Sequence, residues 1–120
     1  MPEKDQSKNT VNRRHSRRVE AGQLPEGLRE FNLDFGSGQK YTGTTIDASL
    51  KGISFLIEVP SYKITNPIVK LTSSDNKISM TQELVYIKAL DPKRSRISLL
   101  FDDGSTPVLY RKIIQKALNG

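Results

Sequence analysis

Between Arg29 and Phe101 the apolar residues come in short alternating runs, each cut off by Gly, Pro, Asn, Asp or Ser. A period of two sends successive side chains to opposite faces of an extended chain, so each run buries one face and needs neighbours on both edges. Phe31, Leu33 and Phe35 share one face of a first strand that stops at Gly36, and Gly36-Ser37-Gly38-Gln39 forms a hairpin connection. A second strand spans about 40–47 and includes Tyr41 and Ile46; in a third, Ile53, Phe55 and Ile57 alternate until Pro60. Loop 60–66 leads through Pro67 to a fourth strand at 68–71, and 73–76 is a turn. Residues 78–90 suit one long strand with a bulge near Gln82. Asp91-Pro92-Lys93-Arg94 has the composition of a type I turn, and Ile97, Leu99 and Phe101 close the series.

The period changes after Gly104. Ser105 or Thr106 can cap a helix whose first residue is Pro107. Tyr110, Ile113, Ile114, Ala117 and Leu118 then follow the i, i+3, i+4, i+7, i+8 rule of a helix with one apolar stripe. The expected architecture is mainly β: a six-stranded antiparallel β-barrel over 29–101, a C-terminal α-helix over 106–118, and a flexible basic N-terminal arm. The arm divides into a polar tail, 1–12, and an arginine-rich part, 13–28, closed by Pro25 and Gly27. The core elements and the arginine-rich part make one domain, 13–120.

Composition removes most catalytic chemistry. There is no cysteine, so disulfides, thiol nucleophiles and thiolate-bound zinc are excluded. His15 is the single histidine, and it lies inside a cluster of arginines that opposes both its protonation and a bound cation. No enzyme, metal site or cofactor is expected. No apolar run nears the ~18 residues needed to cross a bilayer, and Met1 to Asn9 lacks the apolar core of a secretory signal, so a cytoplasmic protein without membrane insertion is expected. Lys and Arg number 19 against 13 Asp and Glu, a net charge of +6 that favours anionic ligands.

Two segments carry candidate chemistry. In Arg13-Arg14-His15-Ser16-Arg17-Arg18 all four cations are arginine, whose planar fork matches phosphate or the O6/N7 edge of guanine and whose flat face stacks on bases. The same run is also a solvated basic arm, or one drawn to nucleic acid without specificity. In Asp47-Ala48-Ser49-Leu50-Lys51-Gly52, Asp47 can accept the two N–H donors of a guanine edge, Ser49 can bond phosphate or base, and Gly52 permits a positive φ or a close backbone approach. The segment also serves simply as a strand connection.

The combination of RxxxR, a strand, and D-x-S-x-x-G running into Ile53-Ser54-Phe55 resembles the PilZ domain, a bacterial receptor for cyclic di-GMP. The resemblance spans about 12–118 and includes the six strands and the helix. It implies that arginines among Arg13, Arg14, Arg17 and Arg18 clamp phosphates and guanines, that Asp47 and Ser49 hold a guanine edge, and that Gly52 shapes the turn. The doubled arginines permit two registers; Arg14 with Arg18 is favoured because apolar Val19 follows, as is frequent in that family. It further implies that the arm orders over the ligand and signals to a downstream protein partner. The alternatives are a basic-armed nucleic-acid-binding β-barrel and a PilZ-like adaptor that binds no nucleotide. Gly36 to Gly43 lacks the Gly-Lys-Ser/Thr of a phosphate loop and belongs to the hairpin. Asp102 and Asp103 are turn residues, Lys93, Arg94 and Arg96 belong to a solvated turn, and Phe31, Phe35, Phe55 and Phe101 are core.

Overall fold

The computed structural model describes residues 17–102 and 104–119; the expected tail, 1–12, together with Arg13, Arg14 and His15, lies outside the described residues. The described strands are β1 (Val19–Glu20), β2 (Glu30–Asp34), β3 (Lys40–Ala48), β4 (Gly52–Ile57), β5 (Ile68–Ser73), β6 (Ser79–Asp91) and β7 (Arg94–Leu100), followed by helix α1 (Val108–Asn119). All pairings are antiparallel. The six strands β2 to β7 close in the order β3-β2-β5-β6-β7-β4, with β4 returning to β3, so the sheet is a barrel without a free edge at its waist. The six-stranded barrel and its C-terminal helix are therefore as the alternation predicted.

The inward faces are those read from the sequence. Phe31, Leu33, Phe35, Phe55, Ile57, Ile97 and Leu99 are buried, and the Phe31 and Phe55 rings meet edge to face at 5.3 Å. The Gly36–Gln39 connection is tight: Gln39 N–H donates to the Gly36 carbonyl at 3.0 Å, while Gly36, Ser37 and Gly38 all take positive φ. At the other hairpin, the Asp91 carboxylate accepts the backbone N–H groups of Lys93 and Arg94, both at 2.8 Å, leaving Pro92 and Lys93 as the loop.

Three details differ from the sequence expectation. The irregularities of the long strand fall between Leu84 and Tyr86 and between Ala89 and Asp91, not near Gln82. Gln82 stays in register opposite Val69; its buried amide donates to the Ser105 hydroxyl at 3.0 Å, so a polar side chain continues the inward alternation without a break. The helix starts later than 106 because Pro107 occupies the cap position: its carbonyl accepts the first helical N–H, from Arg111, at 3.2 Å. The Ser105 hydroxyl instead donates to the Asp102 carbonyl at 2.6 Å.

The third difference concerns the arm. Residues 17–28 are built into the body, because Val19, Leu24 and Leu28 are all buried in the core. Their spacing follows neither a strand nor a helix period, and so left no pattern to read. Val19 pairs with Ala48 and Glu20 with Asp47, extending the edge of β3 that β2 leaves at Thr44. The chain then crosses to β2 through two single 3-10 turns, Ala21–Gln23 and Glu26–Leu28. The Thr45 hydroxyl ties this crossing down by donating to the Leu28 carbonyl at 2.7 Å. Helix α1 lays Tyr110 and Ile114 on the barrel, each fully buried side chain contributing about 1.5–3 kcal/mol.

Candidate functional site

Asp47 reaches the protein surface because β3 carries a bulge. Thr45 pairs with Phe55 and faces inward, so unbroken alternation would turn Asp47 inward as well. The register instead skips Ile46: Asp47 pairs with Ser54 and Ala48 with Ile53, which returns Ala48 to the core and turns the carboxylate outward. The side chain of Asp47 keeps 17% of its exposure and receives Arg18, whose Nη1 donates to Oδ1 at 2.8 Å. Arg18 is held there from behind by β1, where buried Val19 fixes the register against Ala48.

A second cation approaches from the opposite side. Arg96 of β7 places Nη2 3.8 Å from Asp47 Oδ2. Between them the Ser54 and Ser98 hydroxyls share a hydrogen bond of 2.8 Å. The registers set Glu20, Asp47, Ser54, Ser98 and Tyr86 in one row across the outside of five strands. The result is a polar surface on which Asp47 meets both Arg18 and Arg96, with Glu20 exposed at the β1 end. Arg18 is 49% exposed, so its bond to Asp47 adds only about 0–1 kcal/mol. A ligand donor can exchange for it at small cost.

Ser49 sits beneath this surface. It is fully buried, and its hydroxyl accepts the N–H groups of Lys51 and Gly52, both at 3.1 Å, while lying 3.3 Å from the Gly52 carbonyl. The hydroxyl expected to touch a ligand therefore organises the β3–β4 turn. Tyr110 of α1 completes the turn from outside by donating to the Ser49 carbonyl at 2.8 Å, and burial pushes the Tyr110 phenol well above its ordinary range. At Gly52, a close backbone approach is what matters: a Cβ would stand 2.5 Å from the Leu99 carbonyl oxygen across the β4–β7 pairing.

The fold thus brings Arg18, Asp47, Ser49 and Gly52 together around one turn. It separates Arg17, whose Nη2 donates to the Leu118 carbonyl at 3.3 Å, at the negative end of α1. Arg13 and Arg14 lie outside the described residues. Arg96, read from the sequence as part of a solvated turn, belongs to the site. Its signal was the alternation itself: with Ile97 and Leu99 inward, Arg96 and Ser98 must face out beside β4. Among the described residues no group of three or more His, Cys, Asp or Glu side chains gathers closely enough to hold a metal ion. Among the described residues no helix is long and apolar enough to cross a membrane.

No family model matches the sequence, and no curated protein matches it. Solved structures do match the fold, among them the following two. One is PlzA of Borreliella burgdorferi in complex with c-di-GMP, with a TM-score of 0.63 and 15% identity over 84% of this chain, which spans 39% of that protein. The other is the PilZ domain of YcgR from Escherichia coli with c-di-GMP, with a TM-score of 0.57 and 15% identity over 87% of this chain and 88% of that domain. The chain has a PilZ-like fold.

Proposed function

We propose that this protein is a non-catalytic receptor for cyclic di-GMP. The observation that carries the proposal is the 2.8 Å contact between Arg18 and Asp47, which joins the arginine element to the D-x-S-x-x-G element on the outside of the barrel. The likeness to two PilZ structures that hold this ligand supports it. In this reading Asp47 exchanges Arg18 for the N1–H and N2–H of a guanine. The freed guanidinium and that of Arg96 then face phosphate or the second edge of a base. Arg14 with Arg18, rather than Arg13 with Arg17, forms the working pair, because Arg17 is engaged by the end of α1. Ser49 and Gly52 act by holding the turn that presents Asp47. Reordering of the arginine-rich segment on binding is the change a downstream protein would sense, in the cytoplasm.

Calorimetric titration with cyclic di-GMP, against GMP and cyclic di-AMP, tests this. Saturable binding selective for the guanine dinucleotide is expected. Arg18→Ala or Asp47→Ala should weaken it about 10- to 150-fold, the value of a charge-assisted hydrogen bond of about 1.5–3 kcal/mol. Absence of binding to the folded protein, or equal binding of cyclic di-AMP, refutes the proposal. Binding to a DNA oligonucleotide with a steep log–log salt dependence would place the protein among nucleic-acid binders instead.

A further inference from the structure

A groove of about 660 Å³ runs between α1 and the chain that crosses from β1 to β2. Leu24, Pro25, Ile113 and Ala117 give it an apolar lining, Arg29 and Lys116 add two cations, and no acid among the described residues lines it. The Arg29 guanidinium donates to two neutral carbonyls, Leu24 at 3.0 Å and Gly22 at 3.3 Å. Lys116 is exposed and forms no ion pair among the described residues. Helix α1 contains no acid, and Lys112 stands exposed one turn before Lys116.

The apolar line does not stop at the groove. Leu109 is one turn before Ile113 on the same side of α1 and is 42% exposed. A polyphosphate would meet the cations but would leave this line uncovered. A second copy of the chain would bring a further net charge of +6 against the same cations. The occupant that matches both features carries apolar side chains at a spacing of one helical turn, with carboxylates beside them.

We propose that this groove docks an acidic amphipathic segment of a partner protein, its apolar residues over Leu109, Ile113 and Ala117 and its carboxylates facing Arg29 and Lys116. The groove wall also lies close in sequence to the ligand site. Gly22 and Gln23 belong to the 3-10 turn that follows β1, and the Gln23 side chain accepts the Glu20 N–H at 3.2 Å. A shift of Arg18 and β1 therefore moves the wall. That regulatory link rests on the cyclic di-GMP reading, whereas the docking itself does not.

The test uses the full chain, isotopically labelled, and two synthetic peptides with identical leucine spacing, one with Glu and one with Lys at the polar positions. Saturable amide shifts confined to 22–24 and 109–117 are expected with the Glu peptide, and binding of the Lys peptide should be at least about threefold weaker. Lys116→Glu should weaken the Glu peptide about three- to tenfold without altering the spectrum of the barrel. No saturable shifts, equal binding of both peptides, or an unchanged affinity for Lys116→Glu overturns the proposal. So does an oligothymidylate that shifts the same amides at lower concentration than the Glu peptide. Saturating cyclic di-GMP should change peptide affinity by twofold or more. Unchanged affinity in a sample that binds the dinucleotide refutes the link alone, and a sample that fails to bind it refutes the receptor reading while leaving docking standing.

Discussion

Replacing Ser49 with Ala separates a residue that touches the ligand from one that builds the surface it lands on. Ser49 is 0% exposed, and its hydroxyl accepts two backbone N–H groups at 3.1 Å. Alanine removes that acceptor and leaves both donors without it. Lys51 is exposed, so water can reach its N–H and the loss there is that of an ordinary hydrogen bond, about 0.5–1.5 kcal/mol. Gly52 is buried, and an unmet buried N–H costs about 1–3 kcal/mol. The combined loss is about 1.5–4.5 kcal/mol, or roughly 6–18 °C in Tm at ~4 °C per kcal/mol for a domain of this size. Thermal unfolding followed by far-UV circular dichroism reads that directly. Titration with cyclic di-GMP well below the variant's Tm then asks whether affinity falls further than the loosened turn explains. A Tm within about 2 °C of the parent, joined to a large loss of affinity, would refute the structural role and make the hydroxyl a direct ligand contact.

Gly52→Ala should lower stability by about 1–3 kcal/mol in chemical denaturation, because its Cβ would stand 2.5 Å from the Leu99 carbonyl and force β4 from β7; an unchanged midpoint would refute the close-approach argument. Tyr110→Phe should cost about 1–3 kcal/mol by stripping the Ser49 carbonyl of its donor. The raised Tyr110 pKa carries its own sign: the folded state keeps the proton where the unfolded chain releases it, so stability is complete below about pH 10 and falls above it, a decline that Tyr110→Phe should lessen. The Ser73 hydroxyl, and then the Lys77 N–H, hold the Asp75 carboxyl below its ordinary value. Its contribution is therefore present above about pH 4 and lost as pH falls below that, and Asp75→Asn should flatten the acid limb of the stability profile.

Much of the barrel was legible because its cause is local. Alternation at Phe31, Leu33 and Phe35, and again at Ile97, Leu99 and Phe101, selects strands and their inward faces whatever lies opposite. The stripe from Tyr110 to Leu118 selects a helix and its buried side in the same way. The burial of Val19, Leu24 and Leu28 was not legible because three apolar side chains on irregular backbone obey no period, and only the space left beside β3 gives them a common destination. Gln82 misled because a side chain that finds a buried partner in Ser105 looks, in sequence, like an interruption.

The site divides along the same line. The residue types were set by the chain alone: arginines that can grip an anion, a carboxylate two residues before a serine, and a glycine where backbones crowd. Which arginine meets the carboxylate, and that the carboxylate faces solvent at all, came from tertiary structure. Asp47 points outward because β3 must match β4 at both Phe55 and Ile53, and one extra residue, Ile46, reconciles the two pairings. Arg18 reaches it because Val19 is buried against Ala48, 29 residues farther along the chain. Register and side-chain parity in a closed sheet depend on the partner strand, and no local pattern encodes a partner.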